Sequence, residues 1–315
     1  MIAQFITLNG VVIMSNTSKV WLVTGSAAGL GRDIAEAVLA AGHRLVATAR
    51  QPERLADLHA RYGDQVRTLA LDVTDAAAAR AAVALAVEAF GRLDVVVNNA
   101  GYADVAPFEQ MDLEVFRAQI DTNLMGVANV THAALPVMRA QRSGHILQVS
   151  SVGGRLGRPG LSAYQAAKWA VGGLTEVLAG EVNPLGIQIC ALEPGGMRTG
   201  WGTRSLRDTP AVMPDYQASV GALVEMFKPY IGNEAGDPAK IAQLILRLAD
   251  HPTLPPHLLL GSDALHYFGL ADGERAAQLA AWEAVSRSTD VAYDRPVPAL
   301  PETAPQAVLT PPTRS

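Results

Sequence analysis

Residues 20–32 read VWLVTGSAAGLGR. A short apolar run is followed by three glycines, Gly25, Gly29 and Gly31, and then by a helix-like stretch over residues 30–41. The run is apolar on both faces, as a strand covered on both sides must be. Glycines at a strand-to-helix turn let the backbone come close to a pyrophosphate, and the helix that follows offers its positive N-terminus to the same group. A plain tight turn would use the same residues, so the reading depends on what surrounds them.

Six further runs follow: HRLVATA (43–49), VRTLALDV (66–73), LDVVVNNAG (93–101), GHILQVSS (144–151), IQICALEPGG (187–196) and PHLLLGS (256–262). Helix-like stretches lie at 52–61, 75–90, 112–140, 161–182 and 237–250. Strand and helix in alternation predict an α/β fold. Its doubly wound parallel sheet has about seven strands, with helices on both faces. The chain has 315 residues, 49% of them hydrophobic and 17% charged. That suits a single large domain, expected over residues 18–285. The glycine turn then stands after the first strand and before the first helix, where a dinucleotide would bind.

Composition excludes other classes. A net charge of −5 and a pI near 5.8 leave no basic face for nucleic acid. The lone Cys190 forms no internal disulfide and suits a reducing, cytoplasmic setting. The histidines show no metal-ligand spacing, so no metal is expected. The apolar start, MIAQFITLNGVVIM, lacks a basic flank and is too short for a membrane span, so no membrane partner is expected. Residues 1–17 are expected to form a loosely ordered extension, and the proline-rich residues 286–315 a disordered tail.

Polar residues collect where strands end. The second strand runs into Arg50, with no acid there to bond ribose hydroxyls. An arginine suits a 2′-phosphate, so NADP(H) is expected over NAD(H), with Arg32 as a possible helper. Asp72 ends the third strand; Asp75 is the better helix cap, which leaves Asp72 for adenine. Asn98 and Asn99 follow the fourth strand, and Asn123 falls in an apolar helix where an amide needs a role. Ser150 and Ser151 end the fifth strand. Tyr164 and Lys168 sit four residues apart, on one face of a helix.

TGxxxGxG, NNAG, Asn123, the serine, YxxxK and PGGMRT in this order resemble the short-chain dehydrogenase/reductases, in their single-domain, Rossmann-type branch, over Lys19–Val285. The resemblance implies Tyr164 as general acid/base, Lys168 lowering its pKa and bonding the nicotinamide ribose, and Ser151 orienting the substrate oxygen. It implies that Asn123 holds a water linking Lys168 to solvent. It places the cofactor on Gly25, Ser26, Gly29, Leu30, Gly31, Arg50, Asp72, Val73, Asn99, Ala100, Gly101, Tyr164, Lys168, Pro194, Gly195 and Thr199. It also implies a homodimer or homotetramer through helices 112–140 and 161–182. The substrate would be a small carbonyl compound or alcohol. Residues 198–235 form the expected substrate loop. Met197, Trp201, Met213, Tyr216, Met226 and Phe227 point to an apolar ketone or equally to packing of the loop. A non-catalytic dinucleotide sensor and an NAD-dependent alcohol dehydrogenase are the alternatives on the same fold.

Overall fold

The apolar run at 20–23 is completely enclosed, and the rest of the molecule is arranged around it. In a computed structural model, which describes residues 6–8, 11–13 and 18–302, Val20–Val23 forms β1 with all four residues buried. Six more strands follow: Arg44–Ala49 (β2), Val66–Ala70 (β3), Val95–Asn98 (β4), Gly144–Val149 (β5), Ile187–Pro194 (β6) and His257–Leu260 (β7). All neighbours pair in parallel, in the order β3-β2-β1-β4-β5-β6-β7. The seven-stranded α/β sheet matches the sequence expectation strand for strand.

Side chains alternate between two cores, as pleating requires. Trp21, Leu45 and Leu147 face one layer, where they meet Ile34 of α1 (Gly29–Ala40), Leu58 of α2 (Ala56–Tyr62) and Ile245, from a later helix at Pro238–Leu248. Leu22, Val46 and Ile146 face the other. There they meet Ala79 and Val83 of α3 (Ala76–Phe90), Met138 from a helix at Gly126–Gln141 and Ala179 from one at Ser162–Val182.

The stretch expected as one helix over 112–140 is divided. Leu113–Ile120 (α4) and Gly126–Gln141 (α5) are joined by a π-turn at Asp121–Met125. Two residues account for it. Asn123 Nδ2 donates to the Gln119 carbonyl at 2.9 Å, inside the helical ladder. Gly126 lies so close to Val73 that a Cβ would stand 2.4 Å from its Cγ2.

The helix carrying Tyr164 is α6 (Ser162–Val182). After β6 the substrate loop contains α7 (Trp201–Arg207) and α8 (Ala222–Phe227). Its two ends are pinned together by Arg198 N donating to Gly236 O (3.1 Å) and Gly236 N to Gly196 O (2.9 Å). Pro238–Leu248 is α9, and Ser262–Arg287 is a 26-residue α10. Only Asp263, Ala264, Tyr267 and Ala271 of α10 are buried, so its first turns dock and the rest projects. Near the N-terminus, Ile6–Leu8 and Val11–Ile13 pair antiparallel. The rest of residues 1–17, and the tail beyond residue 302, lie outside the described residues.

Candidate active site

The chain leaves β1 toward β2 and β3 on one side, then returns to β4 on the other. Such a switch point opens a crevice at the carboxyl ends of the strands. Thr24 holds the two loops there together. Its Oγ1 accepts from Asn99 N (2.9 Å) and Ala100 N (3.0 Å), and Asn99 Nδ2 donates to Thr24 O (2.9 Å). Asn98 points the other way, into a buried polar set with Gln148 (2.7 Å) and Thr131 (3.0 Å). The two adjacent amides therefore divide the work: Asn98 braces the sheet and Asn99 shapes the crevice.

Gly25 turns with φ 69°, a left-handed conformation that favours glycine. Gly31 is buried against it; a Cβ there would lie 2.3 Å from both Gly25 O and Asn99 Nδ2. The crevice between the loops is a cleft of about 810 Å³. Its walls include Gly25, Gly29, Leu30, Arg50, Asp72, Val73, Asn99, Ala100, Gly101, Ser151, Tyr164, Lys168, Pro194, Gly195 and Thr199. Three expected site residues do not line it. The Ser26 hydroxyl donates to Val23 O (2.9 Å), Gly31 packs behind the turn, and Asn123 is fully buried.

The cleft suits a dinucleotide. The N-terminus of α1 opens from Ala28 with no side-chain cap and no acid in its first turn. Those backbone N–H groups are free to bind phosphate. Helices α3, α4 and α9, by contrast, are capped by Asp75, Asp112 and Asp237. Asp72 is not left wholly to a ligand, because its Oδ1 accepts from Thr74 N (3.0 Å) and Thr74 Oγ1 (2.8 Å). Those bonds hold its carboxyl below the usual range. Arg50 lines the cleft and makes no ion pair among the described residues. Arg32 does not help it, since its guanidinium is held by Asp57 and Glu36. Arg54, one turn past Arg50, lines the cleft instead; its place on a 3-10 turn at Pro52–Leu55 carried no sequence signal.

Tyr164, Lys168 and Ser151 converge at the inner end. Tyr164 shares a hydrogen bond with Ser151, and Ser151 Oγ is fixed by Gly153 N (2.9 Å). Lys168 Nζ donates to Val149 O (2.8 Å) and lies 5.7 Å from the Tyr164 ring centre. Burial dominates both titrations. It pushes the Tyr164 phenol up to about 12, against a smaller downward pull from Ser151. It lowers Lys168 to about 8. Burial thus carries the phenol above its ordinary value of 10.0 and the ammonium below its ordinary 10.5.

Asn123 is anchored on three sides. Its Oδ1 accepts from Tyr102 N (3.1 Å), and its Nδ2 donates to Tyr102 O (2.8 Å) and Gln119 O. Gly101 lies between it and Lys168: a Cβ there would stand 2.6 Å from Asn123 Oδ1 and 3.6 Å from Lys168 Nζ.

The loop's large side chains separate into two groups. Met197, Trp201 and Phe227 line the cleft, and the Trp201 ring tilts against Tyr164 with centres 5.3 Å apart. Met226 packs into a cluster that joins Val220 and Leu223 of the loop to Ala103, Val105 and Leu161. Met213 and Tyr216 stay outside the cleft, and the Tyr216 hydroxyl bonds Glu109 at 2.6 Å. The cleft also takes residues that sequence reasoning missed: Tyr102, Arg204, Tyr230, Ile231 and Glu234.

A family model described as short chain dehydrogenase matches residues 19–210. The chain belongs to the short-chain dehydrogenase family. It is similar to oxidoreductase BOA17 of Botryotinia fuckeliana, at 49% identity over 85% of this chain and 98% of that protein. A short-chain dehydrogenase structure from Streptomyces avermitilis superposes with a TM-score of 0.79 at 39% identity, covering 87% of this chain and all of that one. Similar structures hold either dinucleotide. A Burkholderia phymatum short-chain dehydrogenase/reductase holds NAD (26% identity, TM-score 0.73, 84% and 97% covered). ElxO holds NADP (28%, 0.67, 79% and 99%). This short-chain dehydrogenase is therefore an oxidoreductase.

Gly31→Ala tests the packing behind the turn. The added methyl forces Gly25 and Asn99 apart at a cost of about 1–3 kcal/mol in stability. Chemical denaturation should show that loss, with weaker dinucleotide binding by fluorescence titration. A variant that binds and unfolds like the parent would contradict the packing described.

Proposed function

We propose that the protein is an NADP(H)-dependent carbonyl reductase, interconverting a small apolar ketone or aldehyde and its alcohol. The observation that carries this reading is the convergence of Ser151, Tyr164 and Lys168 in one cleft beside the glycine turn. In this reading the pyrophosphate rests on the Gly25–Gly29 turn and the open N-terminus of α1. Val73 and Asp72 flank the adenine, and Pro194, Gly195 and Thr199 seat the nicotinamide. Arg50, unpaired at the end of β2, takes the 2′-phosphate, and Arg54 stands beside it on the same wall.

Chemistry follows from burial. The hydride for the carbonyl carbon comes from nicotinamide C4 of the bound cofactor. Ser151 and Tyr164 both hydrogen-bond the carbonyl oxygen. A phenol pushed up to about 12 is protonated at neutral pH and can donate its proton as charge builds on that oxygen. Lys168, lowered to about 8, is still mostly ammonium at pH 7. Its charge stabilises the phenolate left behind. Gly101, which adds no side chain between Asn123 Oδ1 and Lys168 Nζ, keeps those two groups close, and Asn123 is the residue that would hold a water returning a proton to Lys168.

Trp201, Phe227 and Met197 make the substrate end of the cleft apolar, which favours a hydrophobic ketone. Leu113 and Met125 on the α4–α5 side, and Trp169 and Val177 on α6, are exposed apolar residues. They support a homodimer or homotetramer through that helix pair. Among the described residues no helix is long and apolar enough to cross a membrane. The single, buried Cys190 fits a cytoplasmic setting.

Tyr164→Phe should lower kcat for NADPH-dependent ketone reduction by about 10²–10⁴-fold and leave NADP(H) binding intact, measured by nicotinamide absorbance and fluorescence titration. Turnover that survives the change would remove Tyr164 from the mechanism. Arg50→Asp should weaken NADPH binding by roughly 10–100-fold, the range of a lost charge-assisted contact, and leave NADH unweakened. Tighter binding of NADH than of NADPH by the parent enzyme would contradict the cofactor assignment.

A further inference from the structure

Glu234 differs from Asp72, the other acid that lines the cleft. It is 4% exposed, yet neither carboxylate oxygen has a hydrogen-bond or ion-pair partner among the described residues. Oε2 is sealed from solvent with no partner at all. The residue itself lines the cleft, on the wall formed by the end of the substrate loop. Buried carboxylates are ordinarily paired, and one left bare is strongly disfavoured unless a ligand completes it.

The arginines nearby form no ion pair with it among the described residues. Arg198 Nε donates to the backbone oxygen of Glu234 at 2.8 Å and forms no ion pair with its carboxylate. Arg204 shares the cleft, but its contact is to Gly101 O at 3.4 Å. The hydroxyl of Tyr230 is turned to Asp263 at 2.9 Å. Glu234 Oε1 would be 3.6 Å from a Cβ on Gly202, and Ile231 closes in on the same glycine. Gly202 directly follows Trp201, whose ring leans on Tyr164. The carboxylate is therefore set beside Gly202, the residue after Trp201, in a cleft that Trp201, Phe227 and Ile231 also line.

We propose that Glu234 is a recognition point for a hydrogen-bond donor on the substrate, a hydroxyl or an ammonium group separated from the reduced carbonyl by an apolar spacer. The inference rests on the carbonyl-reductase reading and narrows its substrate class. Trp201 and Phe227 would hold the spacer, and Glu234 would select for the far end. A site built around a buried acceptor discriminates against analogues that leave it unpaired.

The test is a matched set of phenyl-substituted butanones, one bare, one with a para-hydroxyl and one with a para-aminomethyl group. Each is assayed with NADPH on the parent, Glu234→Gln and Glu234→Leu, with cofactor binding titrated for each protein to verify folding. The parent should favour at least one donor-bearing ketone over the bare one by roughly 10–100-fold in kcat/KM, the range of a charge-assisted hydrogen bond. Glu234→Leu should bring that ratio to about one. Glu234→Gln keeps the shape and an acceptor, so a hydroxyl preference should survive in part and an ammonium preference should vanish; this separates the two donors. No preference in the parent, or the same preference in Glu234→Leu, would overturn the role of Glu234 while turnover of the bare ketone left the carbonyl-reductase reading standing. Binding of NADPH without turnover of any of the three would overturn both.

Discussion

Everything at the site depends on one constraint: β1 and β4 are neighbours in the sheet, but the chain leaves them in opposite directions. The crevice this creates has to be held open and kept precise at once. Thr24 does so by accepting two backbone N–H groups from the loop after β4, while Asn99 returns a hydrogen bond to the Thr24 carbonyl. Gly31 lets α1 start tight against that clamp, because any side chain there would strike Asn99. The open end of α1 then faces the cleft with uncapped N–H groups. An uncapped helix end at the cleft and close packing behind it are thus two results of one arrangement.

Tyr164 and Lys168, the groups proposed to react, are set by burial more than by charge. Lys168 is close enough to Tyr164 to matter, but its ammonium is tied to Val149 O, and both groups are removed from water. Desolvation then moves the phenol up and the ammonium down, widening the gap between them. A protonated phenol is the form reduction needs. Ser151 Oγ is locked in place by Gly153 N.

Much of this was legible in the sequence, for a physical reason. Strands buried on both faces must be apolar throughout, so all seven stood out, and glycines and strand-end polar residues marked the cleft. Other features left no pattern. The π-turn at Asp121–Met125 arises from one amide entering the helical ladder and one glycine packed on Val73, neither of which alters apolar spacing. Helix α10 shows no apolar stripe, because only its first turns dock. Arg32 looked available beside Arg50, but Asp57, distant in sequence, holds it. The substrate loop's aromatic and methionine residues could not be separated into lining and packing until α7 and α8 were placed. Glu234 was invisible for the same reason: an acid in a loop looks solvated until the fold closes over it.

Tyr164 is proposed to act as a buried, protonated acid supported by the Lys168 ammonium. The pH dependence of kcat/KM for NADPH-driven ketone reduction tests it most directly, since that profile reports groups of the free enzyme. With Lys168 titrating at about 8 and Tyr164 above it, reduction should hold level through the neutral range. It should then fall as pH rises past about 8, when the ammonium loses its proton. A rate that instead climbs with pH through this range would mean that a group must lose a proton before reduction can occur, and would contradict the role given to Tyr164.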